Sequence, residues 1–164
     1  MVAACRDRAD VDHACSPRHR ADDRPDRLRR RRVARYQAVL DDFAVPDGWE
    51  LMLTRSVTPD STPSCGGLFG ECPRAIRYYL ASGAGADIYA AAKARVTSAG
   101  FELDLEIRPT CDADPPRTPA CGITASRESD LLQVDIYNAG EDPDNFGVTA
   151  ADRMQVRLIA QPTR

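Results

Sequence analysis

The sequence predicts an α+β domain: a single antiparallel sheet of about five to six strands with one helix packed on it, plus an N-terminal amphipathic helix. Three observations lead to this class. Apolar and polar residues alternate along several short segments, two other segments have the apolar spacing of a helix, and no helical segment interrupts the strands after residue 100. With 164 residues, of which 43% are hydrophobic, the chain can fill one modest core.

Residues 1–26 are predicted to be a disordered polar leader or tether. They contain few apolar residues and no periodicity, so they cannot bury enough surface to offset the entropy lost on ordering. The single α+β domain is therefore predicted to occupy residues 27–164.

The first helix is predicted at residues 28–43. Its apolar residues recur at i, i+3, i+7 and i+10, which places them on one stripe of a helix: Val33, Tyr36, Leu40 and Phe43. Pro46 ends this helix, and a turn at residues 47–48 follows it. We expect the apolar stripe to dock the helix on the sheet.

Two strands are predicted next. The first begins at Trp49 and shows a period of two, with these apolar positions: Trp49, Leu51, Leu53 and Val57. Residues 73–80 are ambiguous, because Pro73 is compatible with a helix start while Ile76, Tyr78 and Leu80 alternate as in a strand. We predict a strand there, with a helix as the alternative.

The second helix is predicted at residues 86–99, where alanines give high helix propensity. One face holds its larger apolar residues and two alanines: Tyr89, Ala92, Val96 and Ala99. Gly100 ends the helix. Further strands are predicted at residues 101–108, 121–127, 131–138 and 154–160, so the order is helix, two strands, helix and four strands.

The strand at residues 101–108 alternates without interruption. Its apolar residues are predicted to point inward: Phe101, Leu103, Leu105 and Ile107. Its charged residues are predicted to point outward together: Glu102, Asp104, Glu106 and Arg108. The first three would suit paired-carboxylate hydrolysis, but the simpler interpretation is a solvated face on which arginines such as Arg127 or Arg157 pair across strands.

Four cysteines bracket two loops between predicted strands. Cys65 and Cys72 have C-x6-C spacing, and Cys111 and Cys121 have C-x9-C spacing. Zinc sites prefer shorter spacings and redox sites use C-x-x-C, so two local disulfides are the best interpretation. Metal ligation, free thiols and the other connectivities remain as alternatives. Persistent disulfides would place the chain in an oxidising compartment.

The N-terminus and the domain each resemble a known class. Residues 2–5, Val-Ala-Ala-Cys, resemble the bacterial lipobox, which implies lipidation at Cys5. The segment FAVPDGWEL, the two cysteine pairs and the helix that ends in Ala-Gly-Phe resemble small secreted proteins and lipoproteins of the GC-rich Gram-positive bacterial envelope. This resemblance covers about residues 38–160 and implies an envelope location, but it implies no activity.

The inventory of side chains argues against familiar catalysis. Both histidines, His13 and His19, lie in the leader, so the predicted domain has no histidine for a catalytic triad or a histidine base. No phosphate-binding loop, dinucleotide fingerprint or HExxH motif is present. We therefore predict no catalytic residue, no cofactor and no metal site.

The sequence thus predicts an extracytoplasmic, disulfide-stabilised, non-catalytic envelope domain with a binding or structural role. It would be secreted or attached to the membrane through its N-terminus. The alternative is a cytosolic nucleic-acid-associated protein whose arginine-rich arm contacts phosphates. That arm would consist of five arginines: Arg27, Arg29, Arg30, Arg31 and Arg32.

Overall fold

The structure is a computed structural model that describes residues 24–58, 72–107, 111, 121–138 and 153–163. Two helices and six strands follow one another in the predicted order, and residues 73–80 belong to a strand. The elements are α1 (Arg24–Asp42), β1 (Trp49–Val57), β2 (Arg74–Ser82), α2 (Gly85–Ser98), β3 (Glu102–Ile107), β4 (Cys121–Arg127), β5 (Asp130–Asn138) and β6 (Arg153–Pro162).

The six strands form one sheet in the order β1-β2-β6-β5-β4-β3, and every neighbouring pair is antiparallel. The last strand in the chain, β6, therefore lies between β2 and β5 and joins the two groups of sequential strands. The predicted α+β class with a single antiparallel sheet is confirmed. Strands β1 and β3 form the two edges.

Both helices contribute to one apolar cluster on the same face of the sheet, which we call the helix-covered face. The predicted stripe of the first helix is buried, and Val39, which was not predicted, is buried beside it: Val33, Tyr36, Val39, Leu40 and Phe43. Helix α2 buries four residues: Ile88, Tyr89, Ala92 and Val96. In the part of the chain that the structure describes, no helix lies on the opposite face, which we call the helix-free face.

The ends of α2 are set by close packing and by glycine. A Cβ atom on Gly85 would approach the Cβ of Cys111 and the sulfur of Met154 to 3.0 Å, so the small residue lets the helix begin against both side chains. Gly100 has φ of +78°, the left-handed conformation that commonly terminates helices. The amide of Phe101 then donates to the carbonyl of Val96 at 3.2 Å and closes the last turn.

Strand β1 contains a bulge between Leu51 and Leu53. Before the bulge, Trp49 and Leu51 lie on the helix-covered face, because their partners on β2, Ala81 and Tyr79, lie on that face. After it, Leu53 pairs with Tyr78 and packs on the helix-free face. The prediction that all the apolar residues of this strand share one face is therefore wrong, because one extra residue reverses the alternation.

Strand β3 has a second bulge, between Leu103 and Leu105. Leu103 pairs with Ala125 on the helix-covered face, whereas Leu105 pairs with Thr124 on the helix-free face and is 56% exposed. The prediction that these leucines both point inward is wrong for the same reason. Both edge strands thus carry a bulge, a feature that hinders the addition of another strand at a sheet edge.

Candidate functional site

The helix-free face contains a buried ion pair at its centre. Asp135 on β5 lies directly opposite Arg157 on β6. The side chain of Asp135 is only 1% exposed, and that of Arg157 is 19% exposed. The Nε and Nη2 atoms of Arg157 both donate to Oδ2 of Asp135, at 3.2 and 2.9 Å. A charge this deeply buried requires such a partner, because desolvation of an unpaired carboxylate is costly.

Two neighbours on β5 complete this ion-pair network. The amide Nε2 of Gln133 donates to both carboxylate oxygens of Asp135, at 2.9 and 3.0 Å. Nη2 of Arg157 also donates to the hydroxyl of Tyr137, and its guanidinium carbon lies 5.0 Å from the centre of that ring. The network consequently holds the guanidinium of Arg157 in one orientation.

Gly122 on β4 leaves room for the carboxylate of this network. A Cβ atom at this position would lie 2.9 Å from the carbonyl oxygen of Val134 and 3.4 Å from Oδ1 of Asp135. The first distance is shorter than normal contact, so any side chain here would force the backbone of β5 or the aspartate to move.

A cavity of about 480 Å³ lies beside this network on the helix-free face. Residues of four neighbouring strands form its walls. Arg157, which belongs to the buried ion pair, is one of them. The residues that line it are Arg55, Ser56, Val57, Arg74, Ile76, Tyr78, Gln133, Arg157 and Ile159. Volumes of this size are typical of sites for small molecules.

The lining of the cavity is mostly polar, with a smaller apolar part. Three arginines line it and none of its described lining residues is acidic. They lie on three adjacent strands, because Arg55 is on β1, Arg74 on β2 and Arg157 on β6. An arginine carries several N–H donors in a planar fork, so it can keep a protein partner and still donate to the oxygens of an anion.

The predicted acidic face of β3 does not exist as one surface. Asp104 lies on the helix-free side, where its Oδ1 accepts a hydrogen bond of 2.9 Å from Ser126. Beyond the bulge, Glu106 pairs with Ile123 and faces α2 instead. The bulge therefore separates Glu106 from Glu102 and Asp104, so the prediction that the three carboxylates share one face is wrong.

Glu106 joins β3 to α2. Both carboxylate oxygens accept from Nζ of Lys93 at 2.9 Å, and the hydroxyl of Tyr89 donates to Oε2. The hydrogen bond from Tyr89 and, to a smaller extent, the hydrogen bond from Lys93 lower the pKa of Glu106. Burial and the neighbouring carboxylate raise the pKa of Tyr89. These hydrogen bonds link α2 to the edge strand β3.

The two arginines predicted to pair across strands have different roles. Arg157 does pair across strands, but with Asp135 rather than with a carboxylate of β3. Arg127 turns towards the end of α2, where its Nη1 donates to the carbonyl of Ala99 at 2.7 Å. Its guanidinium lies 4.5 Å from the ring centre of Phe101.

The cysteines Cys111 and Cys121 lie at disulfide distance, with their Cα atoms 4.9 Å apart. Cys121 is fully buried and Cys111 packs against the same apolar cluster, on the helix-covered side. Cys72 is half-buried just before β2, whereas its predicted partner Cys65 lies outside the described residues, as does the predicted lipidation site Cys5.

The arginines of the predicted basic arm fall within α1. Of the five, the structure describes the side chains of Arg30 and Arg31, and both are exposed. Further along the helix, Arg35 forms an ion pair of 2.9 Å with Asp130 on β5, and Nη1 of Arg77 donates to the carbonyl of Leu40 at 2.9 Å. These contacts hold the C-terminal half of α1 on the sheet.

No family model, no curated protein and no solved structure matches this chain. Within the described ranges, no helix is both long and apolar enough to cross a bilayer, and no group of three or more histidine, cysteine, aspartate or glutamate side chains is placed to hold a metal ion. The fold and the site define an α+β domain with a cavity lined by three arginines on the helix-free face of its sheet.

The sequence pattern gave little indication that the cavity residues would come together. Gln133 and Asp135 interrupt the apolar pattern of β5 at alternate positions, which is also what a solvated face produces. Their burial depends on β6 lying between β2 and β5. This pairing joins segments far apart in the chain, and no local pattern specifies it.

Proposed function

We propose that this protein is an extracytoplasmic, disulfide-stabilised domain without catalytic activity, which binds a ligand through the helix-free face of its sheet. It is secreted or attached to a membrane through its N-terminus. The observation that supports the binding role is the cavity lined by Arg55, Arg74 and Arg157 beside a buried ion-pair network.

The chemistry of the cavity favours binding over catalysis. General acid–base catalysis needs a group that exchanges a proton near neutral pH, and arginine stays protonated there. The carboxylate of Asp135 is already engaged by Arg157 and Gln133 and is buried beneath the cavity wall. These groups can orient and retain a ligand, but they are poorly suited to moving protons.

The cysteine pair supports the proposed compartment. Cys111 and Cys121 are separated by 10 positions in sequence and lie at disulfide distance. Bonds of this kind persist in secreted and envelope proteins and are rare in a reducing cytoplasm. An oxidised pair in the native protein is therefore the central expectation of the proposal.

The test is differential alkylation of protein taken from cells of its source. Thiols are blocked with one reagent before reduction and with a second, heavier reagent after it, and the peptides are then weighed. We expect Cys111 and Cys121 to carry only the second label, and we expect the protein in the envelope or secreted fraction. Complete labelling of both cysteines before reduction, in protein from the cytosolic fraction, would contradict the proposal.

A further inference from the structure

We infer that the basic arm of α1 binds an anionic membrane surface and holds the domain there with its acidic body turned away. The basic arm comprises residues 27–32, in which every residue except Leu28 is an arginine. This inference assigns a partner to a surface other than the cavity. It rests on the proposed function only where it prefers a membrane to nucleic acid.

The first step concerns the charge of the arm. Its five arginines follow one another within six residues, which an α-helix arranges along about 9 Å of its axis. Arg30 and Arg31 are exposed, and within the described ranges neither takes part in an ion pair or a side-chain hydrogen bond. Both charges are therefore available to a partner.

The second step concerns the effect of the arm on the helix. Like charges three or four positions apart on a helix repel each other. The arm contains several such pairs, among them Arg27 with Arg31 and Arg29 with Arg32. In the part of the chain that the structure describes, no carboxylate pairs with Arg30 or Arg31. The arginines therefore do not stabilise α1, and an anionic partner would relieve their repulsion.

The third step concerns the charge of the rest of the molecule. Residues 33–164 carry 12 basic and 19 acidic side chains. The far end of α1 carries two exposed aspartates, Asp41 and Asp42, which pair with Arg77 and Arg127 of the sheet. An anionic surface thus attracts the arm and repels the body. This distribution of charge orients the domain with the arm towards that surface.

The fourth step concerns the kind of anionic partner. A groove of duplex nucleic acid would bring phosphates along the whole helix, where Asp41 and Asp42 would oppose them. The arm also lacks an aromatic residue on which the bases of a single strand could stack. A bilayer presents a flat surface that the arm alone can reach, and clusters of basic residues bind anionic leaflets. The arm also follows the N-terminal segment through which we propose membrane attachment.

The experiment is co-sedimentation of the full chain, produced without lipid modification, with vesicles. One set contains phosphatidylcholine alone, and the other contains phosphatidylglycerol mixed with phosphatidylcholine. Duplex DNA at equal phosphate concentration serves as the competitor. A second measurement uses brominated lipid to quench the fluorescence of Trp49, the only tryptophan of the chain.

The test variant is Arg30→Gln combined with Arg31→Gln. Its control, Arg30→Lys combined with Arg31→Lys, keeps both charges at the same positions. The single variants Arg31→Gln and Arg95→Gln form a matched pair, because each removes one arginine from an exposed position of a helix. Arginine, lysine and glutamine have similar helix propensities, so all the variants should fold, and thermal melts check this.

We expect the chain to bind the mixed vesicles but not phosphatidylcholine alone, and to be released as the salt concentration rises, because salt screens exposed charges. Arg31→Gln should weaken binding by about fivefold and the test variant by about tenfold or more, since each arginine near the surface adds to the attraction. The lysine control and Arg95→Gln should stay within about twofold of the parent.

The fluorescence of Trp49 tests the orientation. Trp49 begins β1, beyond the end of α1 at Asp42, and Asp42 lies roughly 16 Å along the helix axis from Arg31. Brominated lipid should therefore quench Trp49 little when the chain is bound. Strong quenching would mean that the body lies on the bilayer, and it would overturn the inferred orientation.

Three binding results would overturn the inference: equal binding to both kinds of vesicle, unchanged binding in the test variant, or equal weakening by Arg31→Gln and Arg95→Gln. Displacement from the vesicles by duplex DNA would assign the arm to nucleic acid and would overturn it too. These failures are distinct from failure of the proposed function, which the oxidation state of Cys111 and Cys121 tests independently.

Discussion

The two faces of the sheet are built from the same strands but differ in the kind of side chain that they bury. On β5 and β6 the helix-covered face presents Val134 and Val156, both fully buried. One residue further along, the helix-free face presents Asp135 and Arg157, which are also largely buried but carry opposite charges. Alternate residues of one strand thus serve an apolar core on one side and a polar network on the other.

This difference indicates what each face contributes. Burial of a large apolar side chain stabilises a fold by about 1.5–3 kcal/mol. A buried ion pair contributes little net stability, because the cost of desolvating two charges offsets most of their attraction. The polar network of the helix-free face is therefore poorly explained by stability alone.

The largest effect is expected from Asp135→Ala, which removes one partner of the buried pair. Arg157 would keep its charge without the carboxylate, and Gln133 would lose its acceptor. We expect the free energy of unfolding to fall by about 3–5 kcal/mol in urea titrations. Asp104→Ala, on the same face but exposed, is the control and should cost less than about 1 kcal/mol. Equal losses in the two variants would contradict the structure.

Leu40→Ala tests the helix-covered face. Leu40 lies on α1 and is fully buried, so the free energy of unfolding of the variant should fall by about 3 kcal/mol in the same titration. Leu51 is 53% exposed, so Leu51→Ala should change the free energy of unfolding by less than about 0.5 kcal/mol. Equal losses for Leu40→Ala and Leu51→Ala would contradict the burial of Leu40.

The double variant Cys111→Ala with Cys121→Ala removes the proposed disulfide beside the start of α2. The loop that it closes is short, so the chain-entropy model predicts a loss of about 2–3 kcal/mol. The measurement is thermal unfolding by circular dichroism under non-reducing conditions. Equal melting temperatures for the variant and the oxidised parent would show that the bond is absent or does not constrain the unfolded chain.

Asp135→Leu combined with Arg157→Met tests how much the buried ion pair contributes to stability. Replacing both charges with apolar residues avoids an unpaired charge, so stability should stay within about 1 kcal/mol of the parent. The measurement is the same urea titration, with Asp135→Ala as the comparison. A loss as large as that of Asp135→Ala would show that the ion pair itself stabilises the fold.

The smallest effect is expected from Glu106→Gln and concerns pH. Hydrogen bonds from Tyr89 and Lys93 lower the pKa of Glu106 in the folded state, so its ionised form stabilises the fold. That stabilisation is present above the ordinary glutamate pKa of about 4.3 and is lost as the pH falls through the lowered pKa.

The melting temperatures of the parent and of Glu106→Gln should therefore differ most near neutral pH and converge in acid. Glu102→Gln, exposed on the same strand, is the control. A difference between parent and Glu106→Gln that grows as the pH falls would have the wrong sign for the contacts seen here.

Comparison with the sequence shows where local patterns suffice. Helix α2 and its end at Gly100 were predicted because alanine-rich propensity and a left-handed glycine act within a few residues. The paths of β1 and β3 were not, because nothing in an uninterrupted alternation reveals a bulge. The extra residue is accommodated by the neighbouring strand, and the position of Leu105 or Glu106 depends on that pairing.

The order of the elements and the closeness of Cys111 to Cys121 follow from interactions between residues close in the chain. The cavity does not, because Arg55, Arg74 and Arg157 come together only when β6 inserts between β2 and β5. Which polar residues of a strand are buried depends on its neighbours across the sheet. The candidate site therefore arises from long-range strand pairing, which local periodicity does not encode.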